Sequence, residues 1–446
     1  MNDDWSSRRL HFVGIGGAGM SGLAIVARGL GAQVTGSDRA DSPYAERLRE
    51  HGIEPMIGHA AENLPAGAEV VYSSAIPPEN PERMAAAGRE LHRADLLGEI
   101  TRLRRCIAVT GTHGKTTTTS MVVHALRSSG LDPSYVVGGE LGNTGSNAGW
   151  GTGEWVVVEA DESDRSLLKL DPDIAVLTNA ELDHHATYAS RLDLEATLAE
   201  FMGRAEHSVV WDRPELVVLC PPGAIPYDAP SAVLSPDGAR FQWHGIDVVL
   251  GVPGAHNAVN AAGALEACLL AGADPERAAA AMADFRGARR RFERVGDTAN
   301  GAAVYDDYAH HPTEVAAMVA LARTLEPGRV VAVFQPHLYS RTRALARGFG
   351  AALAGADVAL VLDIYPARER AEDFPGVSGR MVAAAAADAG GFAGGKSAGG
   401  ASPARVAWIP DFGDAERYLR SILRPGDLCL VMGAGNVDAL ARALTS

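Results

Sequence analysis

Four cysteines among 446 residues, Cys106, Cys220, Cys268 and Cys429, are too few and too scattered for a disulfide framework or a CxxC metal knuckle, a usage that fits a reducing compartment. Basic residues are also in deficit: Lys and Arg number 40 against 55 Asp and Glu, a net charge of −15. That balance repels a polyphosphate backbone, so no nucleic-acid partner is expected. Small anionic ligands stay open, because a nest of backbone amides holds a phosphate on an acidic protein. The longest stretch without Asp, Glu, Lys or Arg, between Asp247 and Glu266, contains Gly, Pro, His and Asn and makes a poor membrane span. Met1 to Arg9 is polar, with no apolar signal core. No GxSxG nucleophile elbow stands between a strand candidate and a helix, and no cysteine stands in a reactive motif. These absences predict a cytoplasmic protein with neither membrane nor nucleic-acid partner.

What is present has an ordinary globular balance, 47% hydrophobic and 21% charged, in a length that corresponds to about three domains of ~150 residues. Short β-branched runs alternate with Ala-rich helical stretches, the pattern of parallel sheets covered by helices. The reading is an α/β fold of three consecutive Rossmann-like units, the central one a P-loop ATP-binding domain, with boundaries at 1–104, 105–288 and 289–446. LHFVGI, MSGLAIVARGL and QVTGSD open the first unit as βαβ, CIAVTGTHGKTTTT opens the second, and VVAVFQP, DVALVLDIYP and LCLVMGAGN supply strands of the third. Residues 389–403, AGGFAGGKSAGGASP, are low in complexity and read as a loop.

Gly14, Gly16 and Gly19 form GxGxxG between a strand and a helix, with Asp38 closing the next strand. Glycine lets the backbone approach a diphosphate, the helix start offers amide donors, and an acid at the second strand holds a ribose hydroxyl. A dinucleotide and another nucleotide diphosphate fit equally, and tight βα packing without a ligand is the plain alternative. Ser73 and Ser74 follow the strand EVVY and can add hydroxyl donors. In VTGTHGKTTTT, Gly114, Lys115 and Thr116 supply the residues that cradle phosphates, neutralise their charge and coordinate Mg²⁺. The usual spacing puts the first glycine of such a loop at position 109, where this chain has valine; Gly111 makes the loop a shortened variant. Two phosphate loops in series argue against a simple nicotinamide dehydrogenase, which needs only the first.

Glu159, Asp161, Glu162 and Asp164 follow the strand EWVVV, so at least one carboxylate can face the phosphate loop, and His184 and His185 lie beyond a later strand. In DDYAHHP, adjacent Asp306 and Asp307 point to opposite sides of a strand, which counts against a metal cluster. Arg341, in QPHLYSRTR, can bind a carboxylate through its planar fork, or begin a solvated helix.

GTHGKTTTT, EADESD, the NxxxDH of Asn179 to His184, HNxxN at 256–260, ARRRF, DDYAHHP, QPHLYSRTR, YPARE, PGVSG and MGAGN occur in the order of one family. Over most of its length the chain resembles the Mur ligases, and within them the branch that adds alanine; the murein tripeptide recycling ligase is the neighbouring branch. The resemblance implies an ATP-dependent amide ligase that joins L-alanine to UDP-N-acetylmuramate through an acyl phosphate, with ATP and Mg²⁺. It gives the UDP moiety to Gly14, Gly16, Gly17, Gly19, Ser21, Asp38, Ser73 and Ser74. ATP falls to Gly111, Thr112, His113, Gly114, Lys115, Thr116 and Thr117, with His256 and Asn260 on the adenine. Thr116 and Glu159 match metal ligands and His184 a second metal position; Lys115, Glu159, His184 and Arg341 carry catalysis. Tyr308, His310, His337 and Arg341 match the region that receives alanine, where Leu338 replaces an arginine of some relatives. The stretch between His207 and Val252 is shorter than the family leads one to expect. Rival classes are a nicotinamide-dependent oxidoreductase and a binding protein without turnover.

Overall fold

The computed structural model describes residues 5–184, 187–392 and 405–446; His185 and most of the low-complexity stretch lie outside them. The chain divides into two compact units, one of Met1–Leu182, Thr187–Val233 and Gly238–Ala288, the other of Asp183–Ala186, Leu234–Asp237 and Arg289–Ser446.

The first unit holds two principal sheets. One is five-stranded and parallel, ordered Met56–Ile57, Gln33–Asp38, Arg9–Val13, Glu69–Tyr72, Glu90–His92. The other has seven strands, ordered Ile225–Tyr227, His207–Trp211, Ile174–Leu177, Arg105–Thr110, Trp155–Glu159, Ser134–Val136, Ala148–Gly149, with only the last pair antiparallel. Runs such as Ile174–Leu177 are buried at every position because helices cover both faces, so they read as continuous hydrophobic segments rather than alternating ones. The helix Lys115–Ser128 turns Met121, Val122, Ala125 and Leu126 into the core, the shared face anticipated from spacing. One core joins the two sheets: Leu23 and Ala27 of the helix Ala18–Gly29 belong to the same cluster as Val136, Ala148 and Val156. Gly22 makes this approach possible, since a Cβ there would lie 3.2 Å from Val136 and 3.4 Å from Ala148. Between His207 and Val252 the chain also forms a three-stranded sheet, ordered Val233–Ser235, Gly238–Trp243, Ile246–Leu250, the last two antiparallel.

The second unit is built on a six-stranded sheet, ordered Glu293–Asp297, Ala303–Asp307, Leu428–Met432, Val330–Phe334, Val358–Val361, Arg405–Trp408, parallel except for the first pair. Its one departure from the sequence reading concerns the stretch expected to be a loop from 389: the helix Gly379–Phe392 continues through the first glycines. Alanine-rich sequence upstream of them propagates the helix past residues of poor propensity.

Candidate active site

Both phosphate loops of the first unit lie at the carboxyl ends of parallel strands, where ligands of open α/β sheets bind. In the first, Asp38 accepts from the Gly16 amide at 2.8 Å, and the Ser42 hydroxyl donates to the Gly16 carbonyl at 3.1 Å. Asp38 thus braces the glycine loop itself. Gly14 takes φ +77° and Gly17 caps the helix Ala18–Gly29. Ser21 is fully buried; its hydroxyl donates to the Ala18 carbonyl at 3.0 Å and accepts from Asn147 at 3.2 Å, which makes it a packing group at the helix start. Ser73 accepts through its carbonyl from Ile76, and the Ser74 hydroxyl reaches Asp164 at 3.3 Å.

The second loop wraps the start of Lys115–Ser128. Asn179 clamps it, accepting from the His113 amide and donating to the His113 carbonyl, both at 2.9 Å, while Thr112 donates to the Glu181 carbonyl at 2.8 Å. Gly114 has φ +80°, and a Cβ there would lie 2.9 Å from Asn260 Oδ1, so only glycine fits. Asn260 therefore sits against the phosphate loop; His256, one turn earlier on the helix Ala255–Leu270, folds its ring back toward Gly254. Lys115 Nζ donates to the Gly111 carbonyl at 2.6 Å, the Thr112 carbonyl at 3.2 Å and Glu162 Oε2 at 2.8 Å. Burial opposes its charge, but Glu162 and Asp161 outweigh that and hold the ammonium above its usual range. Thr116 and Thr117 are buried on the first turn, and Glu159 accepts from the Gly138 amide at 2.6 Å. The carboxylate that meets the loop lysine is Glu162, not Glu159.

In the second unit Tyr308, His310, His337 and Arg341 come together. Ring centroids separate Tyr308 and His310 by 5.4 Å, and His310 and His337 by 6.2 Å. His310 Nδ1 lies 2.9 Å from the Tyr308 carbonyl, which makes that nitrogen the donor; His337 Nδ1 lies 2.9 Å from Arg341 Nη1, which makes it the acceptor. Burial pushes the His310 imidazole down to about 4; burial and the Arg341 charge push His337 to about 3, so both rings are neutral near pH 7. Arg341 is 3% exposed and grips Asp183, 2% exposed, through Nε to Oδ1 at 2.8 Å and Nη2 to Oδ2 at 3.0 Å. Arg341 thus spends its fork on a carboxylate of the protein itself and is not the solvated residue of a helix start. Burial works against the Asp183 carboxylate, but Arg341 and His184 hold it well below the usual range. Asp306 and Asp307 diverge as their adjacency predicts: Asp306 meets Arg290 at 3.0 Å, and Asp307 accepts from the Phe292 and Ala309 amides, each at 2.7 Å.

Three residues escaped the sequence reading. Asn147 ties the two sheets of the first unit, donating to the Ala18 carbonyl at 2.7 Å; Arg93 meets Asp161 at 3.0 Å and Asp164 at 3.4 Å; Asp183 is the partner of Arg341. Arg93 follows the edge strand Glu90–His92, which is too short to read from the sequence.

A glycine loop and a lysine-bearing loop packed in one unit at the carboxyl ends of parallel strands, followed by a further α/β sheet, form an architecture suited to binding nucleotides. The family models agree: the Mur ligase family catalytic domain matches residues 9–105, the Mur ligase middle domain 109–216, and the Mur ligase glutamate ligase domain 290–435. The chain belongs to the Mur ligase family.

Among curated relatives, the UDP-N-acetylmuramate--L-alanine ligase of Acidithiobacillus ferrooxidans is 42% identical, covering 97% of this chain and 96% of its own. That of Rubrobacter xylanophilus is also 42% identical, over 98% and 99%. Among solved structures, the UDP-N-acetylmuramate-alanine ligase of Thermotoga maritima superposes with TM-score 0.81 at 26% identity, covering 98% of both chains. A murein peptide ligase of Psychrobacter arcticus shares the fold, with TM-score 0.72 at 23% identity. No helix among the described residues is long and apolar enough to cross a membrane.

Proposed function

We propose that this protein joins L-alanine to the lactyl carboxylate of UDP-N-acetylmuramate, cleaving ATP to ADP and phosphate, in the synthesis of peptidoglycan precursors. Full-length identity of 42% to ligases of that name carries the reading. The domain roles follow the family order: 1–104 for the UDP substrate, 105–288 for ATP and 289–446 for the amino acid.

A carboxylate is a poor electrophile toward an amine, so one of its oxygens first attacks the γ-phosphorus of ATP and ADP leaves. The resulting acyl phosphate is attacked by the neutral amine of alanine; the amide forms, the amine gives up a proton, and phosphate departs. Lys115 offsets the charge that builds as two anions meet, and the loop amides and Asn179 hold the phosphate cradle in shape. Glu162 meets Lys115, Asp161 and Asp164 meet Arg93, and Glu159 stands on the same stretch, an oxygen-rich set of the kind a divalent cation uses. Thr116 and Glu159, with His184 at a second position, would hold Mg²⁺, which supplies charge neutralisation on the phosphates. No enzyme nucleophile is needed; Cys106, Cys268 and Cys429 are buried, with thiols held well above their usual range by burial.

The test is phosphate release with ATP, Mg²⁺, UDP-N-acetylmuramate and L-alanine, each withheld in turn. Release that requires all four supports the assignment. Release independent of the muramate refutes it, and faster release with a murein tripeptide in place of alanine moves the protein to the recycling branch.

A further inference from the structure

We infer that Arg93 is a substrate-binding residue, which takes an anionic group of the UDP-linked substrate through the unspent Nη1 of its guanidinium. The inference rests on the ligase reading above. Arg93 opens the helix Arg93–Thr101 directly after the edge strand Glu90–His92, at the same carboxyl end of the sheet as Gly14–Gly19, Asp38 and Ser74. Its Nη1 lies 3.7 Å from where a Cβ on Gly19 would stand, at the start of the helix that follows the glycine loop.

Among the described residues Arg93 is held at one nitrogen only. Two arginines that brace this protein spend all three nitrogens: Arg8 takes Glu69 through Nε and Nη2 and Glu99 through Nη1, and Arg290 takes Asp306 through Nε and the Gly435 and Gly433 carbonyls through Nη1 and Nη2. Arg93 meets Asp161 at 3.0 Å and Asp164 at 3.4 Å through Nη2 alone. Nε and Nη1 make no hydrogen bond among the described residues. The two aspartates are themselves fixed, Asp161 by the Ser163 amide at 2.9 Å and Asp164 by the Ser166 amide at 3.0 Å. Nη2 is thereby tethered, and Nη1 is left beside the glycine loop as a charged donor that suits phosphate or carboxylate. Asp161 also acts on Lys115, so the cation that holds the UDP substrate and the one that meets ATP share a carboxylate neighbour.

Two anions of the substrate have the right chemistry, its diphosphate and its lactyl carboxylate. Calorimetric binding of UDP and of UDP-N-acetylmuramate to the full chain, with Arg93→Met and Arg93→Lys, tells them apart; a non-hydrolysable ATP analogue on the same samples controls for folding. Loss of a charge-assisted contact should weaken binding about 10- to 100-fold in Arg93→Met, and less in Arg93→Lys, with ATP-analogue binding kept. Weakening of both ligands assigns the contact to the diphosphate; weakening of UDP-N-acetylmuramate alone assigns it to the carboxylate. Where Arg93→Met loses ATP-analogue binding, the Lys variant carries the test, and a shift of either UDP ligand supports the assignment. Unchanged affinity for both UDP ligands in a variant that binds the ATP analogue overturns it. A wild-type chain that binds neither UDP ligand overturns the ligase reading and this inference together.

Discussion

Replacing Lys115 by methionine tests two roles at once, the proposed one of phosphate-loop cation and the observed one of counter-ion to a buried acid. Glu162 is 1% exposed, and its Oε2 lies 2.8 Å from Lys115 Nζ. Removing one member of a buried pair leaves an uncompensated charge and costs about 3–5 kcal/mol. Removing a preorganised charge contact from a transferring phosphoryl group costs on the order of 10²- to 10³-fold in rate. Lys115→Met should therefore lower the free energy of unfolding in urea by several kcal/mol. It should also cut phosphate release at saturating substrates at least a hundredfold, measured where the variant is folded. The double variant Lys115→Met with Glu162→Gln separates the effects: it removes the orphaned charge, so most of the stability returns while turnover stays lost. A Lys115→Met variant with wild-type stability would refute the pairing, and one with turnover within tenfold of wild type would refute the phosphate role.

Arg341→Lys keeps the charge but loses the fork on Asp183, so it should destabilise the protein by about 1–3 kcal/mol. If Arg341 also anchors the amino acid, its substitution raises the KM for alanine more than that for ATP, whereas equal changes leave it a structural residue. Gly114→Ala places a Cβ 2.9 Å from Asn260 at φ +80°, so ATP-analogue binding should fall at least tenfold while UDP binding holds; unchanged ATP affinity contradicts the tight packing seen at the loop. His310 and His337 resist protonation in the folded state, at about 4 and about 3, whereas the unfolded chain protonates them near the ordinary value of ~6.5. The unfolded state thus takes up more protons as pH falls below ~6.5, and each ring lowers stability by about 1–2 kcal/mol by pH 5. His310→Gln and His337→Gln should each lose less stability than wild type between pH 7 and pH 5, and equal slopes in urea titrations would show the rings to be exposed.

The central strands were legible because burial on both faces writes them as unbroken β-branched runs: Val330–Phe334 and Leu428–Met432 needed nothing but composition. Edge strands such as Met56–Ile57 and Glu90–His92 were not, since two or three half-exposed residues carry no periodic signal. Candidate residues that one loop holds together were legible as a group. Gly111, Gly114, Lys115 and Thr116 are adjacent in sequence because one loop must present them together. What escaped was long-range pairing: Asn147 reaches Ala18, Arg93 reaches Asp161, and Asp183 reaches Arg341, across separations that spacing cannot encode. The same limit explains Glu159 and Glu162. Both follow one strand, and only the path of the loop after it decides which one turns to the lysine. Packing between the first two sheets, centred on Gly22, was likewise invisible to a reading that took the units one at a time.

The central claim is that the substrate carboxylate is phosphorylated before alanine captures it, and isotope transfer tests this most directly. UDP-N-acetylmuramate carrying ¹⁸O in its lactyl carboxylate is turned over with ATP, Mg²⁺ and L-alanine, and the released phosphate is analysed by mass spectrometry. An acyl phosphate leaves one carboxylate oxygen on phosphorus, so the account predicts phosphate bearing a single ¹⁸O, in step with formation of the alanyl amide. Phosphate free of ¹⁸O while the amide accumulates would contradict it.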